Sequence, residues 1–198
     1  MSRKFILKLA PSGLSVAFFV AAALIAATPA GGEETKKQQK QQEVRKMADE
    51  TLSRLYKAEP GAKEALAHSA GYAVFSNMGV KILVAGSGNG KGIAVNNKNQ
   101  HETFMKMLEI QGGLGFGVKK FRVVFVFDNE KALNSFVESG WQFGGQTTAA
   151  VQAGDTGGGL AGAASVSPGV WMYQLTDTGV ALEITAKSTK YYKDDDLN

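Results

Sequence analysis

The stretch from Val118 to Phe127, VKKFRVVFVF, constrains this chain more than any other. Its second half is apolar at every position, so a strand there needs cover on both faces and belongs inside a sheet. The residues leading into it, Gln111-Gly-Gly-Leu-Gly-Phe-Gly117, are rich in glycine, and Lys119, Lys120 and Arg122 form a basic knot at the join. Glycines ahead of basic residues can cradle a phosphate. They can also let a strand bend or pack closely against another backbone.

The phosphate-loop reading fails on spacing. In Gly86-Ser-Gly-Asn-Gly-Lys-Gly92, a P-loop would need Gly five residues before the Gly90-Lys91 pair and Ser or Thr after it. Ala85 and Gly92 stand there instead. The dinucleotide pattern fails as well, because Lys91 occupies the third glycine position. The segment reads as a flexible, turn-rich hairpin. Asp155-Thr-Gly157 and Asp177-Thr-Gly179 resemble the paired triplets of aspartic proteases, but they lie too close together to belong to separate lobes, and turn chemistry explains both. His68 and His101 are the only histidines; neither sits in a metal-binding pattern, and no Ser lies in Gly-x-Ser-x-Gly. The expectation is therefore no catalytic residue, no metal and no cofactor.

Charge adds little. The pI of about 9.2 suggests a basic protein. Without Arg3, Lys4 and Lys8, however, the 22 basic residues fall to 19 against 18 acidic ones. No basic stripe remains of the kind nucleic-acid binders carry, so no nucleic-acid partner is expected. Those three cations, the apolar run Leu14 to Ala27 and the small residues of Thr28-Pro29-Ala30 read as a signal peptide over residues 1–30. A retained anchor is the alternative, although a helix of that apolar length spans only roughly 21 Å against a hydrocarbon core of about 30 Å. The location that follows is periplasmic or secreted, with peripheral membrane association open. Cysteine is absent, so packing must supply the stability.

Residues 31–42 read as a polar, flexible segment. From Glu43 a helix begins, with Val44, Met47, Ala48, Thr51, Leu52, Leu55 and Tyr56 on one face and Pro60-Gly61 ending it. A short helix follows to about Ala67. The remainder is mainly β: Tyr72–Phe75, Lys81–Ala85, Gly92–Val95, Thr103–Leu108, Val118–Phe127, and a final hairpin of Val170–Leu175 with Val180–Ala186. One helix interrupts it, capped by Asp128 or Asn129, with Ala132, Leu133, Phe136 and Val137 as its buried stripe and Gly140 at its end. The small-residue segment up to Ala164 keeps strand character at Thr147, Thr148 and Val151. The fold class is α+β, with an antiparallel β core of sandwich or barrel form, packed helices and an N-terminal amphipathic helix. Residues 43–198 form a single domain.

Gly71-Tyr-Ala-Val-Phe75, Gly86 to Gly92, Gly113-Leu-Gly-Phe-Gly117, Phe136 through Gly145 and the closing Lys190-Tyr-Tyr-Lys193 together resemble the SYLF domain family, most of all its exported bacterial branch. Ser76 stands where many members of that family have Pro. The resemblance implies a non-enzymatic, lipid-binding domain with no catalytic residues to carry over. The partner it implies is an anionic phospholipid or membrane surface, with an envelope protein as the alternative. Lys119, Lys120 and Arg122 are the leading candidates for phosphate contact, and Lys81 and Lys91 come second. The residues alone also allow these cations to be a solvated strand end that discourages edge pairing.

Overall fold

In a computed structural model of the chain, the described residues are 31–82, 85–112, 117–143, 160–176, 179–181 and 188–198. Among these residues, three helices, α1 (Gly31–Ala58), α2 (Gly61–His68) and α3 (Glu130–Ser139), accompany nine strands: β1 (Gly71–Ile82), β2 (Ala85–Asn96), β3 (Glu102–Gly112), β4 (Gly117–Phe127), β5 (Trp141–Phe143), β6 (Ala164–Ser167), β7 (Val170–Thr176), β8 (Gly179–Ala181) and β9 (Ser188–Lys193). The strands form one antiparallel sheet in the order β5-β9-β3-β2-β1-β4-β7-β6, with β8 also pairing with β7. The expected α+β class with an antiparallel core holds, and the core is a single curled sheet.

The curl follows from ring contacts. Phe125 of β4 and Tyr191 of β9 have centroids 5.0 Å apart, and Phe125 and Trp141 of β5 are 5.5 Å apart. In a flat sheet, the four strand spacings of about 4.8 Å between β4 and β9 would hold those strands ~19 Å apart, beyond the reach of two ring side chains. The sheet therefore bends into a half-barrel, and α3 packs on the inner face through Leu133 and Phe136.

Alternation along the strands sorts the core into two layers. Ala73, Phe75, Met105, Met107, Val123, Phe125, Phe127 and Tyr191 face α3 inside the curl. Val74, Ile93, Phe104, Val124, Val126 and Tyr173 face outward and are covered by Val44, Ala48 and Leu55 of α1 and by Ala62 and Leu66 of α2. β4 thus contributes to both layers, as its double apolar character requires. The α1 stripe at 44, 48, 51 and 55 is buried throughout, Thr51 included.

Two sequence expectations need correction. The polar segment 31–42 is helical: α1 starts at Gly31, and the segment is largely exposed. Glu33 and Glu34 suit the positive end of a helix dipole and the following Lys and Gln residues are good helix formers, but without an apolar stripe no periodicity marks them. The Gly86–Gly92 stretch is not a turn either. It lies within β2, paired with β1 from Ile82↔Ala85 to Gly71↔Asn96. A Cβ on Gly92 would lie 2.2 Å from Cδ1 of Phe75, and one on Gly90 would lie 2.7 Å from the Ser76 carbonyl oxygen. Glycine is needed there because the Phe75 ring lies over the β2 backbone inside the curl.

The α3 expectation holds in detail. Asn129 Oδ1 accepts from Ala132 N at 2.9 Å, and Gly140 ends the helix at φ 68°, ψ 177°, a region open almost solely to glycine. The signal segment, Asp155-Thr-Gly157, Asp177-Thr178, and the strand character expected at Thr147, Thr148 and Val151 lie outside the described residues, as does most of Val180–Ala186.

Candidate functional site

The register gathers the five candidate cations onto three neighbouring strands. Lys81 of β1 pairs with Gly117 of β4. On β4, Lys119 pairs with Gly79, Lys120 with Met78 and Arg122 with Ser76. Ser76 also pairs with Lys91 of β2. All five fall between Ser76 and the Ile82 end of the β2-β1-β4 ribbon, whereas α2 leads into β1 and β4 leads into α3 at the other end. That same end of β1, β3 and β4 contains Met78, Val80, Ile82, Ile110 and Val118. Basic and apolar residues therefore share one end of the half-barrel, with Lys91, Lys120 and Arg122 at register positions of one sheet face and Lys81 and Lys119 at positions of the other.

The cations differ in their surroundings. Lys91 is exposed. Arg122 is engaged beneath α1: its Nη1 donates to Thr51 Oγ1 at 3.3 Å, and its Nη2 lies 3.6 Å from Glu50 Oε2, with 22% of its side chain exposed. Thr51 Oγ1 in turn donates to the Met47 carbonyl oxygen at 2.7 Å. This arrangement makes Arg122 a tie between β4 and α1. For Lys81, Lys119 and Lys120 the described geometry is that of the backbone register.

Lys106 faces Lys91 across the β2–β3 register, but two carboxylates neutralise it. Its Nζ lies 2.8 Å from both Asp194 Oδ1 and Asp196 Oδ2. These hydrogen bonds push the Lys106 ammonium above its ordinary pKa and hold the Asp196 carboxyl below its own. The C-terminal turn is fixed to α1 as well, through Gln41 Nε2 donating to the Leu197 carbonyl at 2.7 Å and Lys37 Nζ donating to the Asn198 main-chain oxygen at 2.9 Å.

The histidines stand apart from this end. His68 closes α2 with Nδ1 2.9 Å from the Glu64 carbonyl oxygen, and His101 lies exposed in the turn between β2 and β3. Sequence reasoning passed over Tyr173, which is fully buried. Its hydroxyl has no hydrogen-bond partner among the described residues. The signal was present in β7: Trp171, Tyr173 and Leu175 share one strand face, and a Tyr on a buried face needs a partner for its hydroxyl.

A curled antiparallel sheet covered outside by α1 and α2 and filled inside by α3 defines an α+β half-barrel domain. Residues 108–198 match the family model described as Ysc84, Las17-binding protein actin regulator. The chain is also 31% identical over 154 residues to Beta cell expansion factor A of Aeromonas veronii, an alignment that covers 78% of this chain and 57% of that protein. These matches bear out the SYLF resemblance of the sequence, the family model over residues 108–198. It spans little more than half the length of that relative.

Proposed function

We propose that this chain is an exported, non-enzymatic domain of the bacterial envelope that binds anionic phospholipid. The SYLF resemblance supports the reading, and residues 3–30 have the anatomy of an export signal. The observation that carries it is the register, which collects Lys81, Lys91, Lys119 and Lys120 at one end of three adjacent strands beside apolar residues. Near an anionic leaflet each such cation contributes about 1 kcal/mol, so the two on one sheet face contribute about 2 kcal/mol and all four, where the end of the ribbon meets the leaflet, about 4 kcal/mol. Apolar residues between the cations supply the shallow insertion that electrostatics alone does not. Arg122 takes the smaller part, because Glu50 and Thr51 already engage it.

The test is co-sedimentation with phosphatidylglycerol vesicles. Lys120→Glu removes one positive charge and adds a negative one, and is expected to weaken binding by about thirtyfold. Unchanged binding by Lys120→Glu together with Lys119→Glu would remove these residues from the site.

A second reading is favoured by the wording of the matching family model, which names a protein partner. In that case the chain is a structural or protein-interaction module of the envelope. A partner retained from envelope extracts after the lipid has been stripped would support it.

A further inference from the structure

The strand registers divide the basic end of the half-barrel by sheet face. The buried side chains of Phe75, Met105, Met107 and Tyr191 mark the inner face, so their neighbours along each strand take outer-face positions. On the outer face, Lys190 of β9 pairs with Leu108 of β3 and Leu108 with Asn89 of β2. Asn89 pairs in turn with Met78 of β1, and Met78 with Lys120 of β4. This row crosses five strands, about 19 Å at the usual spacing, with a cation at either end. Lys190 is exposed, and its Nζ lies 5.7 Å from the centroid of the Tyr192 ring. Asn89 and Lys91 are exposed as well, and Leu108 and Tyr192 are partly so.

The rows on either side complete the pattern. Toward α1, one row holds Lys106, Lys91 and Arg122. Asp194 and Asp196 neutralise Lys106, and Glu50 lies against Arg122, so Lys91 is the cation that row adds. Toward the Ile82 end, the next row holds Ile110, Ser87, Val80 and Val118 and carries no charge. It lies two residues, about 7 Å, beyond the Lys190–Lys120 row. An amphipathic surface at a membrane interface buries its apolar part by about 5–10 Å. An uncharged row leading a cationic one by that distance therefore matches the depth profile of an anionic leaflet.

The inner face at the same level has a different chemistry. Glu109, Gly88, Gly79 and Lys119 share one row, and Gln111, Gly86 and Lys81 the next. Glu109 is 0% exposed, so a carboxylate stands in the row of Lys119, and two glycines separate them. Neither inner row offers an apolar side chain for insertion.

We infer that the outer face of this sheet end is the side that lies on an anionic bilayer. Lys91, Lys120 and Lys190 meet the headgroups, Val80, Ile110 and Val118 enter the boundary beneath them, and Lys81 and Lys119 stay out of contact. The inference rests on the anionic-phospholipid reading above. It narrows that reading to one sheet face and adds Lys190 to the contact.

The chain has no cysteine, so one introduced at residue 80 or 81 carries a single environment-sensitive dye, and these neighbours fall on opposite faces. With phosphatidylglycerol vesicles, the dye on Val80→Cys is expected to shift to the blue and that on Lys81→Cys to stay as in buffer. Lys190→Glu changes two charge units and should weaken co-sedimentation about thirtyfold. Lys119→Glu, on the far face, should weaken it by no more than about threefold at about 0.1 M salt, where the screening length is about 10 Å. Far-ultraviolet dichroism matching the parent separates lost contact from lost folding. A shift at residue 81, or a larger loss with Lys119→Glu than with Lys190→Glu, would overturn the face assignment and leave the lipid reading standing. Failure of the parent to co-sediment would overturn both. A blue shift at residue 80 that grows with protein concentration in the absence of vesicles would assign the face to a second copy of the chain, and would also overturn the inference.

Discussion

Phe125 and Tyr191 meet edge to face, 5.0 Å apart at 84°, although β1, β2 and β3 lie between their strands in the sheet. This contact reports the curl directly, and the curl depends on β2 presenting glycine where Phe75 crosses it. Phe75 touches the same Tyr191 ring at 4.7 Å. A side chain at residue 92 would push Phe75 away and open the aromatic cluster. Gly92→Val is expected to destabilise the protein by about 3 kcal/mol, measured by urea denaturation, and to reduce the near-ultraviolet dichroism of the cluster.

Helix α1 is part of the core over its second half only. Leu55 is 0% exposed and packs with Val74, Val124 and Tyr173 in the outer layer. Leu55→Ala is expected to cost about 3 kcal/mol, with unfolding still a single transition. Gln39→Ala, on the exposed first half, is expected to change stability by less than about 0.5 kcal/mol.

Two ion pairs of similar length differ in burial and should differ in worth. Lys106–Asp194 is 2.8 Å long, and the Asp194 side chain is only 4% exposed. Arg45–Glu102 is 2.7 Å long, with side chains 43% and 35% exposed. Lys106→Met strands a buried carboxylate and is expected to cost about 3 kcal/mol. Arg45→Met is expected to cost about 1 kcal/mol or less, even though the guanidinium also lies over the Phe104 ring. Chemical denaturation of the two variants compares them.

Alkali should weaken the fold through its buried tyrosines. Burial raises the pKa of Tyr191, with the charge of Glu109 adding to it, and burial with Glu59 raises that of Tyr173 to about 12. A folded-state pKa above the unfolded value of 10.0 means that the folded chain holds these protons more tightly. Their contribution is full below pH 10 and is lost as pH climbs through the folded values. Lys106, also raised, acts in the same direction above 10.5. Between pH 10 and 12 each buried tyrosine should remove about 1 kcal/mol per pH unit. Tyr191→Phe should flatten that decline in a melting-temperature series.

Sequence reading found the elements whose residues follow one rule. β4 is apolar on both faces and lies inside the sheet. α3 has its cap at Asn129, its stripe at Leu133 and Phe136 and its stop at Gly140. It missed features that depend on partners distant in the chain. Gly90 and Gly92 carry a turn signal locally, and only Phe75, Ser76 and Met107 from neighbouring strands show why a strand needs them. The first half of α1 has no buried face and so no period to read. Among the candidate cations, Arg122 looked equivalent to Lys119 and Lys120 until α1 brought Glu50 and Thr51 to it.

The most direct test of the lipid reading is vesicle binding as a function of salt. The purified protein should co-sediment with phosphatidylglycerol vesicles at about 0.01 M salt, where the screening length is about 30 Å, and release progressively beyond about 0.1 M, where it is about 10 Å. Phosphatidylcholine vesicles should retain little at any salt concentration. Failure to bind phosphatidylglycerol at low salt, or equal binding to both lipids regardless of salt, would contradict the account.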